Sequence, residues 1–185
     1  KKQELANEKS ETMKTVEGLI SKISDSETEI DNLQDKVQNL KDKIADKDCV
    51  LFMWMTFPTL VEGLKVLESW GFKYKTVAFV WIKQNKKASS LFWGLGFWTR
   101  ANAEICILAT KGNPKRVSAK VHQVIISPVE EHSKKPDETR KRIVELLGDI
   151  PRIELFARQK VQGWDSWGNE VESDIDLLRY GDDNK

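Results

Sequence analysis

The sequence has few cysteines, few prolines and no long apolar run among its 185 residues. Its two cysteines, Cys49 and Cys106, stand inside apolar stretches and form no Cys-x-x-Cys pair. They are therefore predicted to be reduced core thiols, and neither a metal site nor a redox motif is expected. No stretch is long enough to span a membrane and no signal peptide opens the chain, which favours a soluble, cytoplasmic protein. The net charge of +1 does not by itself point to any class of partner.

The first 47 residues lack proline and aromatic side chains and carry an apolar heptad repeat. The positions that recur every seven residues are Val16, Ile23, Ile30, Val37 and Ile44, and those offset by three are Leu19, Ser26, Leu33 and Leu40. β-Branched residues in the first set and leucines in the second favour a parallel two-stranded coiled coil. Residues 13–44 are therefore expected to mediate self-association or to bind a partner helix. The alternative is one long amphipathic helix that lies on its own domain.

Residues 48–172 alternate apolar runs with helical patterns, as α/β domains do. Strands are predicted at residues 49–56, 76–83, 104–110 and 153–156, and helices at residues 59–70 and 137–148. The order strand, helix, strand predicts a right-handed parallel crossover between the first two strands. The continuous apolar character of the first strand predicts that it is buried on both faces. Residues 173–185 are acidic and are predicted to form a flexible tail.

A basic stretch with interleaved aromatic residues follows the second predicted strand. Residues 81–120 contain eight Lys or Arg and one acidic residue, Glu104. Cations that hold phosphate and exposed rings that stack on bases are what single-stranded or flipped-out nucleic acid requires. The cations outside the strands that suit this role are Lys86, Lys87, Lys115 and Arg116. The alternative is that the aromatic side chains pack under a long loop and the lysines form a solvated face.

The stretch at residues 152–171 joins a predicted strand to a polar loop that ends in Trp-Gly-Asn-Glu. Open α/β sheets bind ligands just beyond the carboxyl ends of their strands. Asn169 and Glu170 are hydrogen-bonding groups of the kind that hold a ribose or an adenine edge, and Trp164 and Trp167 can supply a flat apolar wall. The alternative is an ordinary surface corner with core tryptophans.

The motif His-Ser-Lys-Lys-Pro-Asp-Glu at residues 132–138 precedes this stretch. The order HSKKPDE, IELFAR, GW and WGNE resembles the adenine-N6 methyltransferase family that includes the mRNA adenosine methyltransferase and many bacterial and phage DNA methyltransferases. The resemblance covers about residues 44–171. It implies an α/β class I methyltransferase fold, which is a mostly parallel sheet with helices on both faces. The strand at 153 would be the cofactor strand, and the three earlier strands would be the later strands of that sheet.

The resemblance also implies roles for individual residues. The cofactor would be S-adenosylmethionine, with Lys135 at its carboxylate, Arg158 beside it, and Asn169 and Glu170 at its ribose and adenine. The residues that match the family's substrate-side loops are Lys83, Trp98, Arg100 and Glu104. The expected substrate is DNA, or less closely RNA, because the resemblance is greater to phage and bacterial members.

One family motif, Asp-Pro-Pro-Trp, does not occur in this sequence, where all five prolines are isolated. In the family this motif accepts hydrogen bonds from the exocyclic amine of a flipped adenine. The resemblance therefore predicts no catalytic residue in this sequence, and it predicts that the sheet lacks the strand between those at 153 and 49. One hypothesis is an adenine-N6 methyltransferase whose catalytic carboxylate comes from elsewhere, such as a partner chain. The alternative is a non-catalytic subunit that binds nucleic acid or a partner and uses its coiled-coil helix for oligomerisation.

Overall fold

The computed structural model describes residues 2–175 and residue 177 and divides the described chain into two units. The first contains helix α1, Lys2–Ile44, and the second is an α/β domain at Ala45–Ile175. Within the described residues, none of the helices combines the length and the apolar character needed to cross a lipid bilayer.

Helix α1 is continuous through all of the predicted heptads. The apolar side chains of the repeat are about half exposed or more from Val16 to Val37. The polar member, Ser26, donates its hydroxyl to the carbonyl of Lys22 at 2.8 Å, so this hydroxyl is satisfied within the helix. The pairing of α1 with a second helix stays a prediction.

Four strands form the central sheet of the second unit in the order β1-β3-β2-β4. Their bounds are β1, Cys49–Met55; β2, Lys73–Gln84; β3, Glu104–Lys111; and β4, Val124–Pro128. β3 is antiparallel to both β1 and β2, whereas β4 is parallel to β2. β1 and β2 are therefore parallel to each other, as the predicted crossover requires, but they are not neighbours, because the antiparallel β3 lies between them. The handedness of the crossover stays a prediction. Among the residues that the structure describes, β1 pairs only with β3, and it is half-buried rather than enclosed on both faces.

Two helices pack on the two faces of the sheet. Helix α2, Leu60–Ser69, follows a 3-10 turn and buries Leu67 against Ile105 and Ile107. Helix α3, Glu138–Leu147, contributes Ile143 to the other cluster, around Phe79, Trp81, Cys106 and Ile125. Alternate residues of a strand point to opposite faces, and this alternation divides the core into two clusters. The resulting mixed α/β layering is compatible with a methyltransferase-like fold, and the class I assignment stays a prediction.

The strand at the proposed cofactor motif belongs to a separate small sheet. β5, Ile153–Leu155, pairs in parallel with β6, Asp165–Trp167. Arg140 of α3 fixes β5 through two hydrogen bonds to the carboxylate of Glu154, at 2.7 and 2.9 Å. No ladder joins this pair of strands to the central sheet in the part of the chain that the structure describes. Among the described residues, the strand at 153 is therefore not part of the sheet in which it was expected to be the cofactor strand.

The beginning of the predicted tail is attached to the domain. Asp174 accepts hydrogen bonds from the backbone and hydroxyl of Ser166 and from Lys160, at 2.7 to 2.9 Å. The hydrogen bond from Lys160, followed in size of effect by those from Ser166, lowers the pKa of Asp174 to about 2. The domain therefore extends at least to Asp174, and most of the predicted tail lies outside the described residues.

Candidate functional site

β1, β2 and β4 all end at the edge of the sheet where β3 begins, which we call the carboxyl edge. A single carboxylate there, Glu104, bridges two lysines from separate elements. Lys83, at the end of β2, lies 2.6 Å from Glu104 Oε1, and Lys135, in the loop before α3, lies 2.5 Å from Oε2. We call these three residues the ion cluster. The structure thus joins a lysine predicted to bind nucleic acid to a lysine predicted to bind cofactor.

Two tryptophans line the ion cluster. Trp54 of β1 and Trp81 of β2 meet edge to face with ring centroids 6.4 Å apart. The ammonium of Lys83 lies 5.1 Å from the Trp81 ring, and that of Lys135 lies 5.9 Å from the Trp54 ring. Each lysine therefore interacts with an aromatic ring as well as with a carboxylate, which fixes both ammonium groups at the carboxyl edge.

Glu104 is ionised in this setting although its side chain is only 15% exposed. Burial by itself would raise the pKa of Glu104, but hydrogen bonds from Lys135 and Lys83 outweigh burial and hold this pKa below its usual range. Two lysines facing one carboxylate leave the cluster with a net positive charge. An anionic group of a ligand is therefore favoured here.

The other predicted cofactor residues gather where β5 and β6 end. The guanidinium Nε of Arg158 lies 3.0 and 3.1 Å from the two carboxylate oxygens of Glu170. Arg158 also donates to the carbonyl oxygen of His132. The loop at residues 132–135 thus connects this ion pair to Lys135. Asn169 is exposed beside Glu170.

A close backbone crossing holds these loops together. The amide of Ala157 donates to the carbonyl of Trp167 at 2.9 Å. A Cβ at Gly168 would lie 2.2 Å from the Ala157 oxygen, so only glycine allows this approach. Phe156 adopts a φ of 58°, in the left-handed region, and its exposed ring meets Trp167 at 5.5 Å. Backbone strain of this kind concentrates at ligand sites.

The loop between β2 and β3 also rises from the carboxyl edge, and Asn102 anchors its base. The Asn102 side chain accepts from the Lys83 amide at 3.0 Å and donates to the Lys83 carbonyl at 2.9 Å. It also donates to the carbonyl of Phe92. Lys83 therefore connects the loop to the ion cluster, through its backbone on one side and its side chain on the other. Beyond this base, Trp98 and Arg100 are exposed, as are Lys86 and Lys87.

Two predicted nucleic-acid residues lie elsewhere. β3 is antiparallel to its neighbours, so it ends at the opposite edge of the sheet, which we call the amino edge. Lys115 and Arg116 follow that end, between the contact of Asn113 with Asp48 and the contact of Val117 with Leu146. A strand of 8 residues spans roughly 25 Å. The predicted basic stretch is therefore divided between two distant edges of the sheet, and the binding of nucleic acid by its residues stays a prediction.

Sequence reasoning missed Trp54, Trp81 and Asn102. A signal for the tryptophans was present, because Phe-x-Trp occurs in both β1 and β2 and places the two pairs on one face of the sheet. The Phe52 and Phe79 rings stack at 6.0 Å below the tryptophans. No comparable signal marks Asn102, because its function depends on how the loop returns to β2.

A mixed sheet with helices on both faces and charged side chains gathered at one strand-end edge defines an α/β domain, the class of fold in which ligands bind beyond the carboxyl ends of strands. Comparison with known proteins specifies the class. The sequence model of the family described as MT-A70 matches residues 13–170. The chain belongs to the MT-A70 methyltransferase family, which confirms the predicted resemblance. The match includes most of α1 and so begins well before residue 44.

Individual relatives agree with this assignment. The chain is 36% identical over 147 residues to the Type II methyltransferase M.MunI of Mycoplasma sp, which is 77% of this chain and 60% of that protein. It is 31% identical over 137 residues to the N(6)-adenosine-methyltransferase MT-A70-like of Arabidopsis thaliana, covering 72% of this chain and 20% of that protein. It is 32% identical over 139 residues to the N(6)-adenosine-methyltransferase catalytic subunit METTL3 of Homo sapiens, covering 73% and 24%. The chain thus spans less than two thirds of each of these relatives.

Proposed function

We propose that this chain forms the cofactor-binding and nucleic-acid-binding part of an S-adenosylmethionine-dependent adenine-N6 methyltransferase that acts on DNA. The observation that supports this most is that two of the predicted motifs meet. Arg158, which pairs with Glu170 in the stretch at residues 152–171, donates to the carbonyl of His132 in the loop that carries Lys135. Asn169 stands beside them with an exposed amide.

The residue types at this edge fit S-adenosylmethionine. Lys135 offers a cation to its carboxylate, Glu170 accepts hydrogen bonds from ribose hydroxyls, and the Asn169 amide both donates and accepts toward the adenine. The exposed Phe156 ring provides a flat apolar surface nearby. When bound, the cofactor supplies the methyl group that is transferred. Lys135 is already paired with Glu104, so it would have to share its charge between Glu104 and the carboxylate of a bound cofactor.

DNA is proposed as the substrate on two grounds. The chain is 36% identical to the bacterial Type II methyltransferase, compared with 31% and 32% for the plant and human adenosine methyltransferases. Exposed aromatic and basic side chains of the loop between β2 and β3 rise from the same edge as Lys135. Asp-Pro-Pro-Trp is absent from the sequence, so the carboxylate that holds the target amine is proposed to come from elsewhere, such as a partner chain.

Calorimetric titration of the full chain with S-adenosylmethionine tests the cofactor site. Lys135→Ala removes a charged hydrogen bond and is expected to raise the Kd by roughly 10- to 100-fold. Asn169→Ala is expected to weaken binding by a smaller factor. Lys134→Ala is the matched control, because the adjacent Lys134 pairs with Glu130 and Asp137 and not with the ion cluster. A folded wild-type chain that gives no binding heat, or an equal loss in Lys134→Ala, would contradict the proposal.

A second candidate function, a non-catalytic oligomerising subunit, is favoured by the exposed apolar stripe of α1. Sedimentation of the wild-type chain at micromolar concentration is expected to show a dimer. Ile30→Lys places a charge in the apolar seam and is expected to give a monomer, whereas Asp31→Lys, one residue away on the polar face, keeps the dimer. If the wild-type chain sediments as a monomer, the coiled-coil hypothesis is wrong. Rapid adenine methylation by the chain alone would contradict the proposed lack of a catalytic residue.

A further inference from the structure

The most exposed large apolar side chains in the described chain stand together at the tip of the loop between β2 and β3. Leu95, Phe97 and Trp98 are 95%, 97% and 93% exposed. We call residues 95–98 the aromatic tip. Large apolar groups seldom stand in water as a cluster unless they contact another molecule.

The aromatic tip has a defined geometry. A Cβ at Gly96 would lie 1.7 Å from the carbonyl oxygen of Thr99, so glycine is required for this tight turn. The turn places the rings of Phe97 and Trp98 edge to face, with centroids 6.2 Å apart. Below them, Arg100 donates to the carbonyl of Gly94 at 3.1 Å. The turn therefore orients the two rings in the absence of a partner.

The base of the loop relates the aromatic tip to the ion cluster. The three hydrogen bonds of Asn102 hold Lys83 and Phe92, and the amide of Phe92 in turn donates to the Lys83 carbonyl at 2.9 Å. The side chain of Lys83 pairs with Glu104. Asn102 therefore sets the position of the tip relative to the edge where cofactor binding is proposed.

The charge around the aromatic tip indicates the kind of partner. Residues 84–103 contain Lys86, Lys87 and Arg100 and no acidic residue. These cations have no carboxylate partner within the described chain. An apolar tip on a loop that carries cations and no carboxylate complements a polyanion with stacked rings inside it, because the cations meet phosphates while the rings meet bases.

We propose that the aromatic tip is a wedge that inserts into a base step of duplex DNA, and that Asn102 is the positioning residue that fixes it over the ion cluster. This inference rests on the proposed function and adds the mode of binding to it. Apolar wedges unstack and kink a duplex at the step they enter. Enzymes that modify a base must take it out of the stack, and a wedge lowers the free energy needed for that.

Titration of a DNA duplex that carries 2-aminopurine in place of adenine tests the wedge, because its fluorescence rises when the base unstacks. The wild-type chain is expected to bind and to raise the fluorescence. A Phe97→Ser and Trp98→Ser double variant is expected to bind roughly tenfold more weakly or worse. Its fluorescence rise at saturation should be lost, while the dependence of its binding on salt is kept. Tyr74→Ser, at an exposed aromatic residue of the amino edge, is the matched control and should behave as wild type.

Asn102→Ala tests positioning separately. It is expected to reduce the fluorescence rise at saturation, a quantity that does not depend on affinity, because the rings remain but are no longer held over Lys83. If this variant gives the full rise, Asn102 is not a positioning residue.

Three outcomes overturn the wedge in different ways. If the wild-type chain binds no nucleic acid, the proposed function fails together with the wedge. If it binds with strong salt dependence but gives no fluorescence rise, or if the double variant keeps the rise, only the wedge is wrong. If the double variant changes the mass of the chain in solution and leaves DNA binding unchanged, the tip is a protein contact.

Discussion

The two edges of the central sheet are both basic, but they are organised differently. At the carboxyl edge, Lys83 and Lys135 converge on Glu104 and lie against tryptophan rings. At the amino edge, Lys115 and Arg116 are exposed on an irregular segment. Side chains held by both a counter-ion and a ring are oriented before a ligand binds, and such orientation distinguishes a binding site from a solvated surface.

The largest effect is expected at the carboxylate of the carboxyl edge. Glu104→Ala leaves two half-buried ammonium groups without a counter-ion and is expected to lower the free energy of unfolding by about 2–3 kcal/mol. Glu104→Gln keeps the shape and is expected to lower it less. Urea unfolding measures both. Asp48→Asn, at an exposed carboxylate that accepts from the Asn113 amide at the amino edge, is the control and is expected to cost less than about 1 kcal/mol. Equal destabilisation at both edges would remove the distinction.

The contribution of Glu104 also depends on pH. Its pKa is lower in the folded chain than in the unfolded chain. The ion cluster therefore contributes stability that is fully present above the unfolded pKa of about 4.3 and is lost as the pH falls through the folded pKa. The difference between wild type and Glu104→Gln in urea should shrink below about pH 4. A difference that stays constant there would contradict the ionised cluster.

A smaller effect is expected when cations are removed and DNA binding is measured. Removing them from one edge at a time compares the two edges directly. Lys86→Ala with Lys87→Ala should reduce the slope of log K against log salt by up to about 1.8, or about 0.9 for each phosphate that is no longer neutralised by a lysine. Lys115→Ala with Arg116→Ala should leave the slope unchanged, because those residues lie at the amino edge. The reverse result would place the nucleic acid at the amino edge.

The smallest expected difference is in the reactivity of the two thiols. Cys106 is fully buried in β3, and burial raises its pKa to about 12. Cys49 is only half-buried at the start of β1, at the amino edge. Alkylation at pH 8 followed by mass spectrometry should therefore label Cys49 first and label Cys106 only on unfolding. Equal labelling in the native chain would show that the sheet core is open.

Two of the residues that the sequence singled out, Arg158 and Glu170, form an ion pair in the structure, and their role at a cofactor stays a prediction. The topology of the sheet was harder to predict. The apolar run of β3 does not reveal its direction, because an antiparallel strand between two others is as buried as a parallel one. β4 was missed because Val124 and Ile126 are exposed in a short run, and β6 was missed because Asp-Ser-Trp has no strand pattern.

The aromatic loop shows why the remainder could not be predicted. Counting charge along residues 81–120 treats Lys86 and Arg116 as neighbours, whereas β3 lies between them and carries the chain across the sheet. The bonds of Asn102 to Lys83 join residues 19 apart in sequence, and they depend on the path of the loop. Local patterns therefore predict elements and motifs, but the pairing of strands decides which charges share a surface.

The most direct test of the central claim, that the carboxyl edge is the functional edge, is photo-crosslinking of the full chain to a DNA duplex that carries a photoreactive base. Mass spectrometry of the digested product then locates the crosslinked peptide. Crosslinks within residues 84–103 are the expected result, because the aromatic tip and its cations lie there. Crosslinks confined to residues 113–120 would place the nucleic acid at the amino edge and contradict the claim.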